Sequence, residues 1–121
     1  MKSGAVYDAE TDRCVITEVW KTTNAFERMR GLLARPALLG TQGLWIEPCP
    51  SVHTFGMRYC IDVIFMDKSG TVKKIGHNLK PLRLSSCRGA KSTLELSSGC
   101  AQKMGILEGM KLYFKDTESS E

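Results

Sequence analysis

Residues 59–75 constrain the fold more than any other part of this sequence. Residues 59–66, YCIDVIFM, are rich in the β-branched and aromatic side chains that favour strands. Residues 67–70, DKSG, form a turn signal, because Gly70 can adopt the positive φ that tight turns require. Residues 71–75, TVKKI, then return as the second strand. The pattern predicts a β-hairpin, and therefore a fold built around a sheet.

Short strands separated by turns recur along the rest of the chain, and we predict six to eight in total. Those outside the hairpin are predicted at residues 5–7, 14–20, 43–46, 92–96 and 110–114. The sequence contains no repeat and no linker that would separate a second domain. We therefore predict a single domain over residues 1–114, followed by a disordered acidic tail at 115–121.

One helix is predicted near residues 24–34. Asn24 can cap its start, with Glu27 as the capping-box partner three residues later. Apolar residues follow at helical spacing and form one face, namely Phe26, Met29, Leu32 and Leu33. A helix this short needs a partner surface to persist. The whole pattern is typical of a mainly β domain, a compact antiparallel barrel or sandwich with this helix packed across it.

Composition excludes several classes of function. The net charge is only +4, and the 17 basic residues are spread along the chain, which does not suit a nucleic-acid-binding protein. Five cysteines at irregular spacing argue against a disulfide framework and predict reduced thiols in the cytoplasm. No apolar run is long enough to cross a bilayer, and no signal peptide is visible, although removal of a signal from an exported precursor stays open.

Sequence motifs for metals and cofactors are absent. There is no P-loop, no GxGxxG and no GxSxG. The spacing of Cys49, His53 and Cys60 matches no established zinc pattern. We therefore expect no cofactor and no metal, and the partner class is an unknown small ligand or protein.

Asp62 and His53 are the polar residues that stand out in and beside the hairpin. Strand alternation places Asp62 on one face with Ile64 and Met66, where a carboxylate needs an ion-pair or hydrogen-bond partner. His53 follows a proline-bounded loop and can act as an acid or base near neutral pH. Four more residues complete a candidate ligand-binding set: Arg30, Arg58, Arg83 and Glu95.

Each candidate also has a structural interpretation. Asp62 could accept hydrogen bonds from an arginine or from backbone N–H groups and so fix a loop. Arg58 and Arg83 could form salt bridges to Asp62 or Glu95 rather than bind a ligand. Glu95 lies between two leucines that face the other way along a strand, so it could simply point to solvent.

Four motifs occur in a fixed order along the chain. They are RGLL at 30–33, HTFGMR at 53–58, IDVIFMD at 61–67 and LELSSG at 94–99. Together they resemble the domain-of-unknown-function 192 family of bacteria and archaea, over roughly residues 15–114. Cys60 stands where that family commonly has proline, and Met110 where a small acidic residue is usual. The resemblance implies a small, mainly β domain without an established activity, whose recurrent polar positions fall on Arg30, His53, Asp62 and Glu95.

Three functions stay open from the sequence. The first is a non-enzymatic accessory module that binds a ligand or protein, with a polar site from the helix, the 53–62 segment and strand 93–96. The second is a small enzyme that uses His53 and Asp62 as an acid–base pair. The third is a purely structural polar cluster. Whether the candidate side chains converge on one concave surface distinguishes these hypotheses.

Overall fold

The computed structural model describes residues 1–24, 37–54 and 57–117. These residues form nine strands and one short helix, which confirms the mainly β prediction with one strand more than the predicted range. In chain order they are β1 (Lys2–Asp8), β2 (Cys14–Lys21), β3 (Gln42–Ile46), β4 (Ser51–His53), β5 (Ile61–Met66), β6 (Val72–Leu79), β7 (Leu84–Ser86), β8 (Ser92–Ser97), α1 (Cys100–Lys103) and β9 (Leu112–Asp116). Residues 25–34 of the predicted helix lie outside the described residues.

Seven of the strands form one sheet, in the order β6-β5-β8-β3-β2-β1-β9. Neighbouring strands run antiparallel except β2 and β3, which pair in parallel from Glu18 opposite Gln42 onward. Strands β4 and β7 form a separate two-stranded sheet, called the ribbon below. The large sheet is not closed into a barrel, because in the described chain β6 and β9 are not paired along their length. An isolated bridge joins Thr71 and Lys111, which lie just before these two strands. A sandwich-like arrangement is therefore compatible with the structure.

The predicted hairpin is formed by β5 and β6. Gly70 adopts a φ of 86° in the turn, and a Cβ at this position would collide with the carbonyl oxygen of Leu112. The Asp67 side chain accepts hydrogen bonds from the N–H groups of Ser69 (2.9 Å) and Thr71 (3.0 Å). Turn chemistry and strand propensity therefore act together here, as the sequence predicted.

Both faces of the large sheet are covered by apolar side chains. The face called cluster one contains Ile64, Met66, Leu94 and Leu96, with residues from β1, β2 and α1. The opposite face, cluster two, contains Leu44, Ile46, Val52, Met57, Ile61, Val63 and Phe65. All six residues of β5 are buried, because they alternate between the two clusters.

The chain termini differ from the predicted boundaries. The strand predicted at residues 5–7 is part of β1, which lies inside the sheet between β2 and β9. Strand β9 continues past the predicted boundary at 114, because Lys115 and Asp116 pair with Ala5 and Gly4 of β1. Residues 118–121 of the predicted tail lie outside the described residues. In the described part of the chain, no helix has the length and apolar character needed to span a membrane.

Candidate functional site

Asp62 is fully buried and makes two hydrogen bonds to backbone N–H groups. Its Oδ1 accepts from the N–H of Asn78 at 2.8 Å, and its Oδ2 accepts from the N–H of Ala101 at 2.9 Å. Asn78 lies near the end of β6 with a φ of 52°, a conformation that asparagine tolerates better than most residues. The carboxylate therefore attaches the end of β6 to the start of α1.

Glu95 is also buried, with 3% of its surface exposed. It lies opposite Leu44 on one neighbouring strand and Val63 on the other, within cluster two. The interpretation that Glu95 points to solvent is wrong. Leu94 and Leu96 face cluster one, and the opposite face of the sheet, where Glu95 points, is covered by cluster two. Burial raises the pKa of Glu95 to about 7.

Glu95 and Tyr59 each have a buried polar atom without a hydrogen-bond partner in the described part of the chain. Within those residues, neither the Glu95 Oε1 nor the Tyr59 hydroxyl forms a hydrogen bond. Burial, and then the charge of Glu95, raise the pKa of Tyr59, which places the phenol within electrostatic range of the carboxylate. This part of cluster two holds a carboxylate that is costly to ionise.

Asp62 and Glu95 do not form one site. Asp62 lies opposite Leu96, whereas Glu95 lies opposite Val63, one position along each strand. Because successive side chains of a strand point to opposite faces, Asp62 belongs to the side of cluster one and Glu95 to that of cluster two. The sequence grouped these residues by motif, and the strand register separates them.

The ribbon brings His53 and Arg83 close together in the backbone. His53 is exposed and lies opposite Leu84. The next residue, Thr54, is fully buried and donates its N–H to the Arg83 carbonyl at 2.9 Å. Its Oγ1 accepts from the Arg83 N–H at 2.8 Å and donates to the Lys80 carbonyl at 2.7 Å. Thr54 thus fixes the loop that precedes β7.

The loop fixed by Thr54 presents two leucines to solvent. Leu82 is 67% exposed and Leu84 is 72% exposed. Leu82 has a φ of 63°, a left-handed conformation that is unfavourable for leucine and is retained only where surrounding contacts enforce it. The N–H of Leu82 donates to the Thr54 carbonyl at 3.4 Å. The backbone that presents this side chain to solvent is therefore held in place.

Removing the Thr54 hydroxyl should loosen this loop. In Thr54→Val, the Arg83 N–H and the Lys80 carbonyl lose their partner, and we expect a loss of stability of about 1–3 kcal/mol. Urea unfolding measures that loss, and hydrogen exchange of the Arg83 amide should become faster. Thr17→Val removes an exposed hydroxyl and is the matched control. Equal effects of the two substitutions would contradict the role given to Thr54.

A basic edge runs along β6, β7 and their loops. The 27 residues from Lys68 to Leu94 hold seven of the 17 basic residues and none of the 13 acidic ones. All seven are exposed: Lys68, Lys73, Lys74, Lys80, Arg83, Arg88 and Lys91. The two strands approach each other, since Lys74 Nζ donates to the Ser86 carbonyl at 2.8 Å. The basic residues look evenly spread when counted over the whole chain, but the lack of acidic residues in this stretch is visible in the sequence.

The remaining candidates are dispersed. Arg58 is exposed beside Tyr59, and Arg30 lies outside the described residues. Across residues 1–24, 37–54 and 57–117, no three His, Cys, Asp or Glu side chains are arranged to hold a metal ion. All five cysteines are free thiols.

The structure defines a small, mainly β domain. Its large sheet is covered by apolar side chains on both faces, and it carries the ribbon and the basic edge. The chain belongs to the domain-of-unknown-function 192 family (DUF192, uncharacterized ACR), whose model matches residues 7–114. This match confirms the family that the sequence motifs resembled. No curated protein matches the chain.

Two solved structures share the fold. One is described as a "putative transcription regulator" from Sinorhizobium meliloti 1021, with a TM-score of 0.78 at 20% identity, covering 93% of this chain and 92% of that one. The other is a protein of unknown function from Novosphingobium aromaticivorans DSM 12444, with a TM-score of 0.73 at 22% identity, covering 92% of this chain and 83% of that one. At these identities the likeness concerns the fold alone.

Proposed function

We propose that this protein is a non-enzymatic binding module that holds an acidic segment of a partner protein on its basic edge. The observation that carries the proposal is the separation of charge. The basic edge has seven basic side chains and no acidic one, whereas the rest of the chain has ten basic and 13 acidic residues. A surface of one sign attracts and orients a partner of the opposite sign.

The exposed leucines make a protein segment the best-supported partner. Leu82 and Leu84 stand among the basic residues, and burying one such side chain against an apolar partner contributes about 1.5–3 kcal/mol. A nucleic-acid backbone offers leucine little comparable surface. Residues 67–93 also contain no Phe, Trp or Tyr on which bases could stack. An acidic peptide with apolar side chains can pair with the basic residues and also bury the two leucines.

A protective role is the alternative for part of the basic edge. Lysines on an edge strand commonly prevent sheets from pairing edge to edge, and Lys73 and Lys74 on β6 fit that role. Arg83, Arg88 and the two leucines lie on the ribbon and its loops, where this explanation does not apply. The experiment therefore changes the ribbon residues.

Binding can be measured with labelled synthetic peptides as probes. We expect a peptide of glutamate and leucine to bind more tightly than one of glutamate alone. The double variant Arg83→Glu with Arg88→Glu should weaken binding about tenfold or more. The matched control, Lys2→Glu with Lys103→Glu, has the same net charge, and its affinity should change by less than about twofold.

Other outcomes would contradict the proposal. Equal losses in the two charge variants would show attraction by net charge alone. Tighter binding to a DNA duplex or to anionic lipid vesicles than to the glutamate–leucine peptide would assign the basic edge to a different partner. Leu82→Ser with Leu84→Ser should lower affinity only for the leucine-containing peptide, because the glutamate peptide has no apolar group to bury.

The enzyme hypothesis receives less support from the geometry. Asp62 is fully buried, and each of its oxygens already accepts a backbone N–H. His53 is exposed on the ribbon, whereas Asp62 lies within the large sheet. A structural role for Asp62 is favoured by its hydrogen bonds and is compatible with binding at the basic edge.

A further inference from the structure

A cavity of about 330 Å³ lies between β6 and the connection from α1 to β9. The described side chains that line it are Ile75, His77, Gln102, Ile106, Leu107 and Glu108. Its volume is at the lower end of the range for small-molecule sites, about 300–1,000 Å³. Ile75 and His77 lie on β6, but no lining residue is one of the seven basic side chains of the basic edge or belongs to the candidate set from the sequence.

The lining combines an apolar surface with a few polar groups. Half-buried Ile75 and Leu107, which is 66% exposed, supply the accessible apolar surface, whereas Ile106 is 1% exposed and belongs to cluster one, against which Ile75 packs. His77, Gln102 and Glu108 supply hydrogen-bonding groups. Glu108 is the single carboxylate in the described lining, and its charge is negative. An apolar surface beside one carboxylate suits a small molecule with an apolar body and an ammonium group.

Backbone contacts hold both walls of the cavity in place. Asp62 bonds the N–H of Asn78, next to His77, and the N–H of Ala101, next to Gln102. On the opposite side, the Ile106 N–H donates to the Ala101 carbonyl at 2.9 Å. The buried carboxylate thus joins β6 to α1 at the cavity. A site formed before binding avoids the cost of ordering loops around the ligand.

We propose that this cavity binds a small organic cation, a primary ammonium on a short apolar body, with Glu108 contacting the ammonium. The apolar body lies against Ile75 and Leu107, and Gln102 and His77 border the polar end. The proposal is independent of the function proposed for the basic edge. Arg13 lies beside Gly105 of the lining, but its Nη2 donates to the Met104 carbonyl at 3.2 Å, which leaves Glu108 as the charged side chain that lines the cavity.

The test is an amide NMR titration of the full chain with phenethylammonium as the probe. We expect saturable shifts at His77, Gln102 and Leu107, with a Kd in the millimolar range for a probe of this size. Glu108→Gln should weaken binding about fivefold, as expected for one exposed charge pair. Glu10→Gln removes an exposed carboxylate elsewhere and should leave the Kd unchanged.

Two further probes of similar size, one neutral and one anionic, test whether the cavity prefers a positive charge. Neutral 3-phenylpropanol and anionic 3-phenylpropionate should each bind more weakly than phenethylammonium. Tighter binding of the anion would overturn the proposal and implicate Arg13 instead. Equal binding of all three probes, no effect of Glu108→Gln, or no saturable shifts would also overturn it, whatever the result at the basic edge.

Discussion

At about pH 8, the Glu95→Gln variant should be more stable than the original protein by about 3 kcal/mol. The reason is that Glu95 is buried in cluster two, where burial raises its pKa from 4.5 to about 7. Ionising this carboxyl in the folded state therefore costs free energy, and glutamine resembles its protonated form. Each pH unit between those two pKa values contributes about 1.4 kcal/mol to the difference.

The pH dependence has the sign opposite to that of a salt-bridged carboxylate. Below about pH 4.5, Glu95 is protonated in both states and the variant should gain nothing. Between about pH 4.5 and 7, the folded state holds a proton that the unfolded state has lost, so the stability from this group falls as pH rises. Above about pH 7 the difference should be constant.

Urea unfolding of both proteins across about pH 4 to 8 measures this profile. Glu10→Gln, an exposed position, is the matched control and should follow the original protein throughout. A variant less stable than the original protein at high pH would contradict the prediction. That result would mean that the ionised carboxylate has a strong partner in the native protein.

The hairpin could be predicted from sequence because local signals agree with the tertiary structure. Alternating strand residues, an Asx-type turn at Asp67 and Gly70 at positive φ all favour the same two strands. The strands around 14–20, 43–46 and 92–96 were found for the same reason. The ribbon was harder, since β4 and β7 have only three residues each and depend on Thr54, which lies next to β4 but bonds to Arg83.

The arrangement of the polar residues depends on register, which the sequence does not state. Asp62 and Glu95 sit in neighbouring strands, and a shift of one residue in pairing would have placed them on the same face. Whether a sheet face is open to water also depends on distant residues, which is why Glu95 was interpreted as exposed. The basic edge combines a stretch without acidic residues, which can be read from the sequence, with the approach of β6 to β7, which cannot.

The free energy of unfolding should fall by about 3 kcal/mol or more in Asp62→Ala. The substitution leaves two N–H groups without an acceptor, that of Ala101 in a buried environment and that of Asn78 in a partly buried one. Each buried N–H that loses its partner costs about 1–3 kcal/mol. Hydrogen exchange of these two amides should be accelerated before global unfolding, because the carboxylate is what joins β6 to α1.

Asp67 offers a control within the same hairpin. Its Oδ1 also accepts two backbone N–H groups, from Ser69 and Thr71, but this turn lies at the protein surface. In Asp67→Ala, water can replace the lost acceptor, so we expect a cost of only about 1 kcal/mol. If Asp62→Ala costs no more than Asp67→Ala, burial does not set the energy of these hydrogen bonds, and the structural role of Asp62 fails. A large difference would instead show that the carboxylate singled out in the sequence supports the fold and, through α1, one wall of the cavity.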